Sequence, residues 1–155
     1  MERDQFHVET ATVEESATDS PPEQPVLRIH FDGPRDHLRQ ELSERLRDDL
    51  TAKAIDVSFR HLPTDEEPAE GILALSDRVT GRFILEVKTA VDPVREFVQT
   101  VRESANRTGN DARYRVEIRA EDETVTTFEK DLLVVYEPSG TLIRDASLIP
   151  TGIEL

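Results

Sequence analysis

Cysteine and tryptophan are absent from this 155-residue chain, methionine occurs once, and aromatic residues make up only 5% of it. Without cysteine there is no disulfide, thiolate zinc site, iron–sulfur cluster or cysteine nucleophile to consider. Lysine is nearly missing as well: of 19 basic residues only Lys53, Lys88 and Lys130 are lysine, and the other 16 are arginine. Long apolar runs are lacking. The longest is Leu132–Tyr136, far short of the roughly 18 residues a membrane-spanning helix needs. Met1-Glu2-Arg3-Asp4 carries no apolar core of signal-peptide length, and Ile153-Glu154-Leu155 matches no lipidation signal. The expected location is therefore the cytoplasm. The six glycines fall at 33, 71, 81, 109, 140 and 152. None of their spacings makes a phosphate loop or a dinucleotide fingerprint. No serine sits in a nucleophile-elbow pattern such as Gly-x-Ser-x-Gly.

What is abundant is acid. Thirty-three Asp and Glu against 19 bases give a formal net charge of −14. In dilute buffer such a charge repels itself and opposes compaction. In molar salt the Debye length shrinks to about 3 Å, and that repulsion nearly vanishes. Excess carboxylate then keeps the surface hydrated. Arginine in place of lysine fits the same setting, because its planar fork binds carboxylates and is weakly hydrated. A competing reading makes the acid a docking surface for a basic partner. The acids are spread along the chain and not blocked into a tail, which favours adaptation to salt.

The length suits one domain with a real core. Phe6 and Val8, with polar residues between, suggest a short strand over 5–12. Residues 14–25 are polar, contain three prolines and show no periodicity, which reads as a linker. The expected organisation is a strand-like segment plus linker over 1–25 and a single domain over 26–155. Val26–Phe31 reads as a strand, and Asp32-Gly33-Pro34 as a turn into a helix carrying Leu38, Leu42, Leu46 and Leu50. Ile55, Val57 and Phe59 alternate as a strand. Ile72–Leu75 and Phe83–Val87 form a hairpin with Gly81 in a left-handed conformation.

Asp92-Pro93 starts a second helix that buries Val94, Phe97, Val98, Val101 and Ala105 and stops at Gly109-Asn110. Tyr114, Val116, Ile118 and Ala120 alternate. Glu121-Asp122-Glu123 turns into Val125–Phe128, and Leu132–Tyr136 reads as the most central strand. Pro138-Ser139-Gly140 turns the chain into Leu142 and Ile143. Leu148, Ile149, Ile153 and Leu155 are too apolar to stay in solvent and are expected to pack on the body. The two stretches from Asp32 to Arg60 and from Asp92 to Arg119 each read as a strand–helix–strand unit.

The polar clusters are weak signals for chemistry. His30, Asp32 and His37 lie at a strand end and helix start, where metal ligands can gather. Placement on an alternating strand and a helix N-terminus is the stronger explanation of His30 and His37, and His7 and His61 complete the histidines. Asp65, Glu66, Glu67 and Glu70 cluster in a Pro-flanked loop. Acid–base carboxylates need burial or a partner to shift their pKa, and such a loop offers neither. Arg113, Arg115 and Arg119 share a strand face with Glu117. On a chain this negative that stripe reads as a salt-bridged outer face, since the whole-molecule field opposes nucleic acid. No catalytic, cofactor-binding or metal-ligating residue is assigned, and no cofactor is expected.

Four segments carry a resemblance: FDGP at Phe31–Pro34, LSDRVTGRFILEV at Leu75–Val87, RYRVEIRA at Arg113–Ala120 and SLIPTGIEL at Ser147–Leu155. Together they resemble a family of small acidic proteins found in haloarchaea and classed as a domain of unknown function. The resemblance covers nearly the whole chain beyond the linker. It implies a haloarchaeal cytoplasmic source and carries over no site residue.

The expected fold is α+β: a mostly antiparallel sheet of about seven strands with two helices on one face. A ferredoxin-like arrangement is the alternative, against which the extra strands count. The expected function is a non-enzymatic binding or protein-interaction module. The alternative is a small enzyme or ligand-binding subunit whose site is assembled from distant residues. An unidentified protein partner or self-association fits the apolar C-terminal segment, and neither nucleic acid nor membrane is expected as a partner.

Overall fold

Alternation of apolar and polar residues builds most of the strands, since period-two patterning puts one set of side chains on the core face. The computed structural model of the chain describes residues 6–13, 24–45, 55–63, 69–78, 81, 83–108 and 113–149. Its elements run in chain order as β1 (Phe6–Val13), β2 (Gln24–Phe31), α1 (Arg35–Arg45), β3 (Ile55–His61), β4 (Glu70–Asp77), β5 (Phe83–Ala90), α2 (Val91–Thr108), β6 (Tyr114–Ala120), β7 (Glu123–Lys130) and β8 (Val134–Tyr136). A short 3-10 turn follows at Arg144–Ala146.

The fold is α+β with two helices. The strands number eight among the described residues and divide between two four-stranded sheets, ordered β1-β2-β6-β7 and β5-β4-β3-β8. Pairing is mostly antiparallel; β2–β6 and β3–β8 are the parallel pairs. Both strand–helix–strand units are present, but each spans the two sheets. β2-α1-β3 and β5-α2-β6 start in one sheet and end in the other, so neither helix is a crossover within a sheet.

Phe6, Leu27, Ile29, Phe31, Val116 and Ile118 of the first sheet share one core with Val57, Phe59, Leu73, Leu75 and Leu85 of the second. Each such side chain contributes about 1.5–3 kcal/mol on burial. From α2, Val94, Phe97, Val98 and Val101 enter that core, while Ala105 is only half-buried. α2 packs against β1 and β2, and β1 lies beside β5, the edge strand of the other sheet. α1 contributes Leu38 and Leu42. Leu46 and Leu50 lie outside the described residues, as do residues 14–23 of the expected linker, Asp65–Glu67, Gly109-Asn110 and Ile153 with Leu155. The linker's last two residues, Gln24 and Pro25, begin β2.

Helix starts follow the sequence within a residue or two. The Leu38 amide donates to the Pro34 carbonyl at 3.2 Å, so Pro34 caps α1 from just outside it. α2 begins at Val91, whose amide donates to the Ala69 carbonyl, with Asp92 in its first turn near the positive end of the helix dipole. In the β6–β7 turn Glu121 and Asp122 both take positive φ, 52° and 62°. Two left-handed central residues are what a tight hairpin needs to match strand twist.

The most apolar segment is not central. β8 ends its sheet, paired with β3 alone among the strands. Its free edge is covered by the chain that follows it: Leu142 bridges to Tyr136 and Leu148 to Leu133. That cover makes the segment apolar despite its edge position. It also fulfils, at Leu148, the expected packing of the closing segment, since Leu148 is buried in the core.

Candidate functional site

The histidine–acid cluster anticipated near the end of β2 is rearranged by strand pairing. β1 and β2 place His7 opposite His30, and their rings stack at 4.6 Å. His7 Nδ1 lies 2.9 Å from Asp32 Oδ1, and His30 Nε2 lies 3.2 Å from Glu9 Oε2, misaligned for a hydrogen bond. His37 leaves the group and stacks on Phe31. Among the described residues no three His, Asp or Glu side chains are placed to hold a metal ion.

The arginine stripe on β6 lies on the outer face of the first sheet. Register puts Glu9, Arg28 and Glu117 in one row. Arg28 Nε donates to Glu117 Oε2 at 2.9 Å, and Arg119 approaches the same oxygen at 3.9 Å. Arg119 also donates to Thr124 Oγ1 and to the Asp122 carbonyl across the hairpin. Glu117 is only 7% exposed, which a carboxylate tolerates when cationic donors surround it. Arg113 is exposed. Glu70, from the acidic loop, ends up beside Lys88 at 3.6 Å. These contacts join strands and pair part of the charge that composition left open.

A concave site among the described residues lies elsewhere. A cavity of about 300 Å³ opens between the core face of β3 and β8, the first half of α2 and the closing 3-10 turn. Phe59 and Val135 form its floor, with His61 at the end of β3. Val91, Val94, Arg95 and Gln99 come from α2; Ile143, Asp145 and Ala146 form the opposite wall. Val91, Val94, Phe59 and Val135 are buried, which makes the interior apolar. Arg95, Gln99 and Asp145 are exposed and His61 half-buried, which places the polar groups toward the mouth.

Each wall has a local reason. Arg95, Gln99 and Arg102 follow one another at helical spacing along one flank of α2, beside its buried stripe. That flank faces the closing segment, where Arg102 donates to the Ser147 carbonyl at 2.6 Å. Ser147 itself is buried. Its hydroxyl donates to the Ile143 carbonyl at 2.7 Å and accepts the Val135 amide at 2.9 Å. The wall is thus tied to α2 on one side and to β8 on the other.

The pKa of His61 is pushed down, mainly by burial and then by the Arg95 guanidinium, with Glu137 opposing. A neutral imidazole at the mouth offers one donor and one acceptor. Arg95 is largely exposed and paired to Asp92 at 3.7 Å, an i,i+3 pair on the same helix. Residue types alone did not mark His61, Arg95, Gln99 and Asp145 as a group, because three separate elements bring them together. The available signal was slight: polar residues bordering the apolar stripe of α2, and a histidine at the next step of the buried register Ile55, Val57, Phe59.

No helix among the described residues is long and apolar enough to cross a membrane. Comparison with curated proteins and with solved structures finds no match. Over its whole length, residues 1–155, the chain matches a family of unknown function, and it belongs to that family, DUF5793.

Proposed function

We propose that this protein is a non-enzymatic binding module that takes a small, largely apolar molecule into the cavity between α2 and the closing segment, and that it works in the salt-rich cytoplasm of a haloarchaeon. The observation that carries the binding reading is the cavity itself. At about 300 Å³ it sits at the lower end of ligand-site volumes, with the apolar lining and few convergent polar groups such sites have. The salt reading rests on the net charge of −14 and the near absence of lysine.

The test is isothermal titration with a small apolar probe, 3-methylbutanol, in molar KCl, compared with a Val94→Trp variant that fills the cavity. Binding by the native protein that the variant loses supports the reading. A native protein that takes up none of the probe, or a variant that binds it as well, sinks the reading.

A small enzyme is the second reading. His61 favours it: a histidine held neutral at a cavity mouth is a usable proton acceptor. Mass analysis of compounds recovered from the cavity separates the two. A chemical change that His61→Gln abolishes makes the protein an enzyme; recovery unchanged leaves a binder.

A further inference from the structure

We infer that the cavity between α2 and the closing 3-10 turn is a site for a free apolar α-amino acid of the leucine type, its side chain on the Phe59–Val135 floor, its carboxylate toward Arg95 and its ammonium toward Asp145. The inference rests on the binding reading above and specifies the ligand. Three features carry it. The interior is lined by Val91, Val94, Phe59 and Val135 and offers nothing charged to a buried side chain. The polar part of the lining includes one guanidinium and one carboxylate, from different elements: Arg95 from α2 and Asp145 from the 3-10 turn. The space is about 300 Å³; at about 30 Å³ per water-sized unit, that is roughly ten non-hydrogen atoms.

A fatty acid of that size would meet Asp145 with like charge. An apolar amine would meet Arg95 in the same way. A zwitterion with an apolar side chain satisfies both walls at once. Arg95 presents a planar fork of donors suited to a carboxylate, and its contact with Asp92, at 3.7 Å, is loose enough to share. His61, beside Arg95, adds an uncharged donor or acceptor without cancelling either charge. The backbone that carries Asp145 is tied to α2 and β8 by the Arg102–Ser147 and Val135–Ser147 hydrogen bonds.

Both mouth groups are solvated, so each is worth little beyond direct contact. Molar salt removes the longer-range part of their attraction. The expected discrimination is therefore modest, about 1.5-fold to fivefold per group. Isothermal titration of the full-length protein in molar KCl reads it, with four probes: L-leucine, 4-methylpentanoate, 3-methylbutylamine and 3-methylbutanol. Leucine should bind tightest. Arg95→Met should reduce leucine to the level of the amine, and Asp145→Asn to that of the acid. Both residues are exposed, so folding should survive either change.

Equal affinity for leucine and either singly charged probe overturns the inference, as does leucine binding that neither variant weakens. Binding of the alcohol that Val94→Trp abolishes, with no preference for leucine, overturns the inference but keeps the cavity as a binding site. Failure of all four probes overturns both.

Discussion

The buried Val135 amide, in the edge strand β8, donates its hydrogen bond to the hydroxyl of Ser147 at 2.9 Å. A strand edge normally leaves such donors to solvent or to another chain. Here a side chain twelve residues later takes the place of a strand, and the same hydroxyl donates onward to the Ile143 carbonyl. Ser147→Ala strips the Val135 amide of its partner inside the protein. An unsatisfied buried donor costs about 1–3 kcal/mol, so the melting temperature should fall by about 3–10 °C for a domain of this size. Ser147→Thr, which keeps the hydroxyl, should recover part of the loss. Calorimetry of the two variants checks this; equal melting temperatures for Ala and native protein would remove the closing segment as a structural tie.

Gly71 in β4 marks a close approach that also reaches the cavity. A Cβ there would lie 2.5 Å from Phe59 Cζ and 2.6 Å from the Arg60 carbonyl oxygen. Gly71→Ala therefore displaces the Phe59 ring, which forms the cavity floor, and crowds the β3 backbone. Overpacking of this kind costs about 1–3 kcal/mol. The expected outcome is a lower unfolding midpoint in denaturant together with weaker probe binding. A variant as stable as the native protein would mean that β3 and β4 can separate slightly without cost.

Tyr114 gives the fold an alkaline limit. The ring is fully buried, meets Phe97 edge to face at 5.5 Å, and its hydroxyl donates to the Leu132 carbonyl at 2.7 Å. Burial first, then Asp131, pushes its pKa well above the ordinary tyrosine value. The folded state therefore holds this proton when the unfolded chain has lost it. Its contribution is complete below about pH 10 and is lost as the pH climbs above that value. Tyr114→Phe should cost about 1 kcal/mol at neutral pH and should flatten the decline above pH 10. Denaturation midpoints taken from pH 8 upward on both proteins test this. An identical alkaline decline in the variant would assign the limit to other groups.

His61 acts on the acid side. Its folded pKa is depressed by burial and by Arg95, so the unfolded chain binds the proton more readily. Stability carried by the neutral ring is complete above about pH 6.5 and drains away as the pH falls below it. His61→Gln should shrink the loss of stability between neutral pH and pH 5 relative to the native protein. The comparison between the two proteins matters, because carboxylates titrate toward the lower end of that range in both.

Much of the scaffold was readable from residue types because it follows local rules. Alternation at Ile55, Val57 and Phe59 and at Tyr114, Val116, Ile118 and Ala120 announces strands with one buried face, and both are buried as that pattern demands. Val94, Phe97, Val98 and Val101 announce the inner face of α2. Partition into two sheets was not readable, because a strand's sequence records that it is buried and not by which neighbour. Leu132–Tyr136 shows the cost of that ambiguity: edge burial by Leu142 and Leu148 looks like central burial. The cavity was invisible for a related reason. His61, Arg95 and Asp145 are polar residues without special pattern in their own segments, and it is tertiary ties such as the Arg102–Ser147 and Val135–Ser147 hydrogen bonds that bring their elements together.

The acid surface itself makes the last prediction. A net charge of −14 is weakly felt when the Debye length is about 3 Å and strongly felt when dilution lengthens it to roughly 30 Å. Inside the folded chain a few pairs resist that change. Glu117, nearly buried against Arg28, is screened little by salt in either state. The exposed carboxylates outside such pairs carry the repulsion. Circular dichroism should therefore show strand and helix signal falling, and the melting temperature dropping, as KCl is lowered from molar to tens of millimolar. Refilling with KCl should restore both, since the effect is electrostatic and not a chemical change. Arg28→Ala should lower the melting temperature by a similar amount at every salt concentration, because the Glu117 carboxylate it strands is buried. A spectrum and a melting point that stay constant across the salt series would mean that the acidic surface does not act through solvent screening, and would return it to the alternative role of meeting a basic partner.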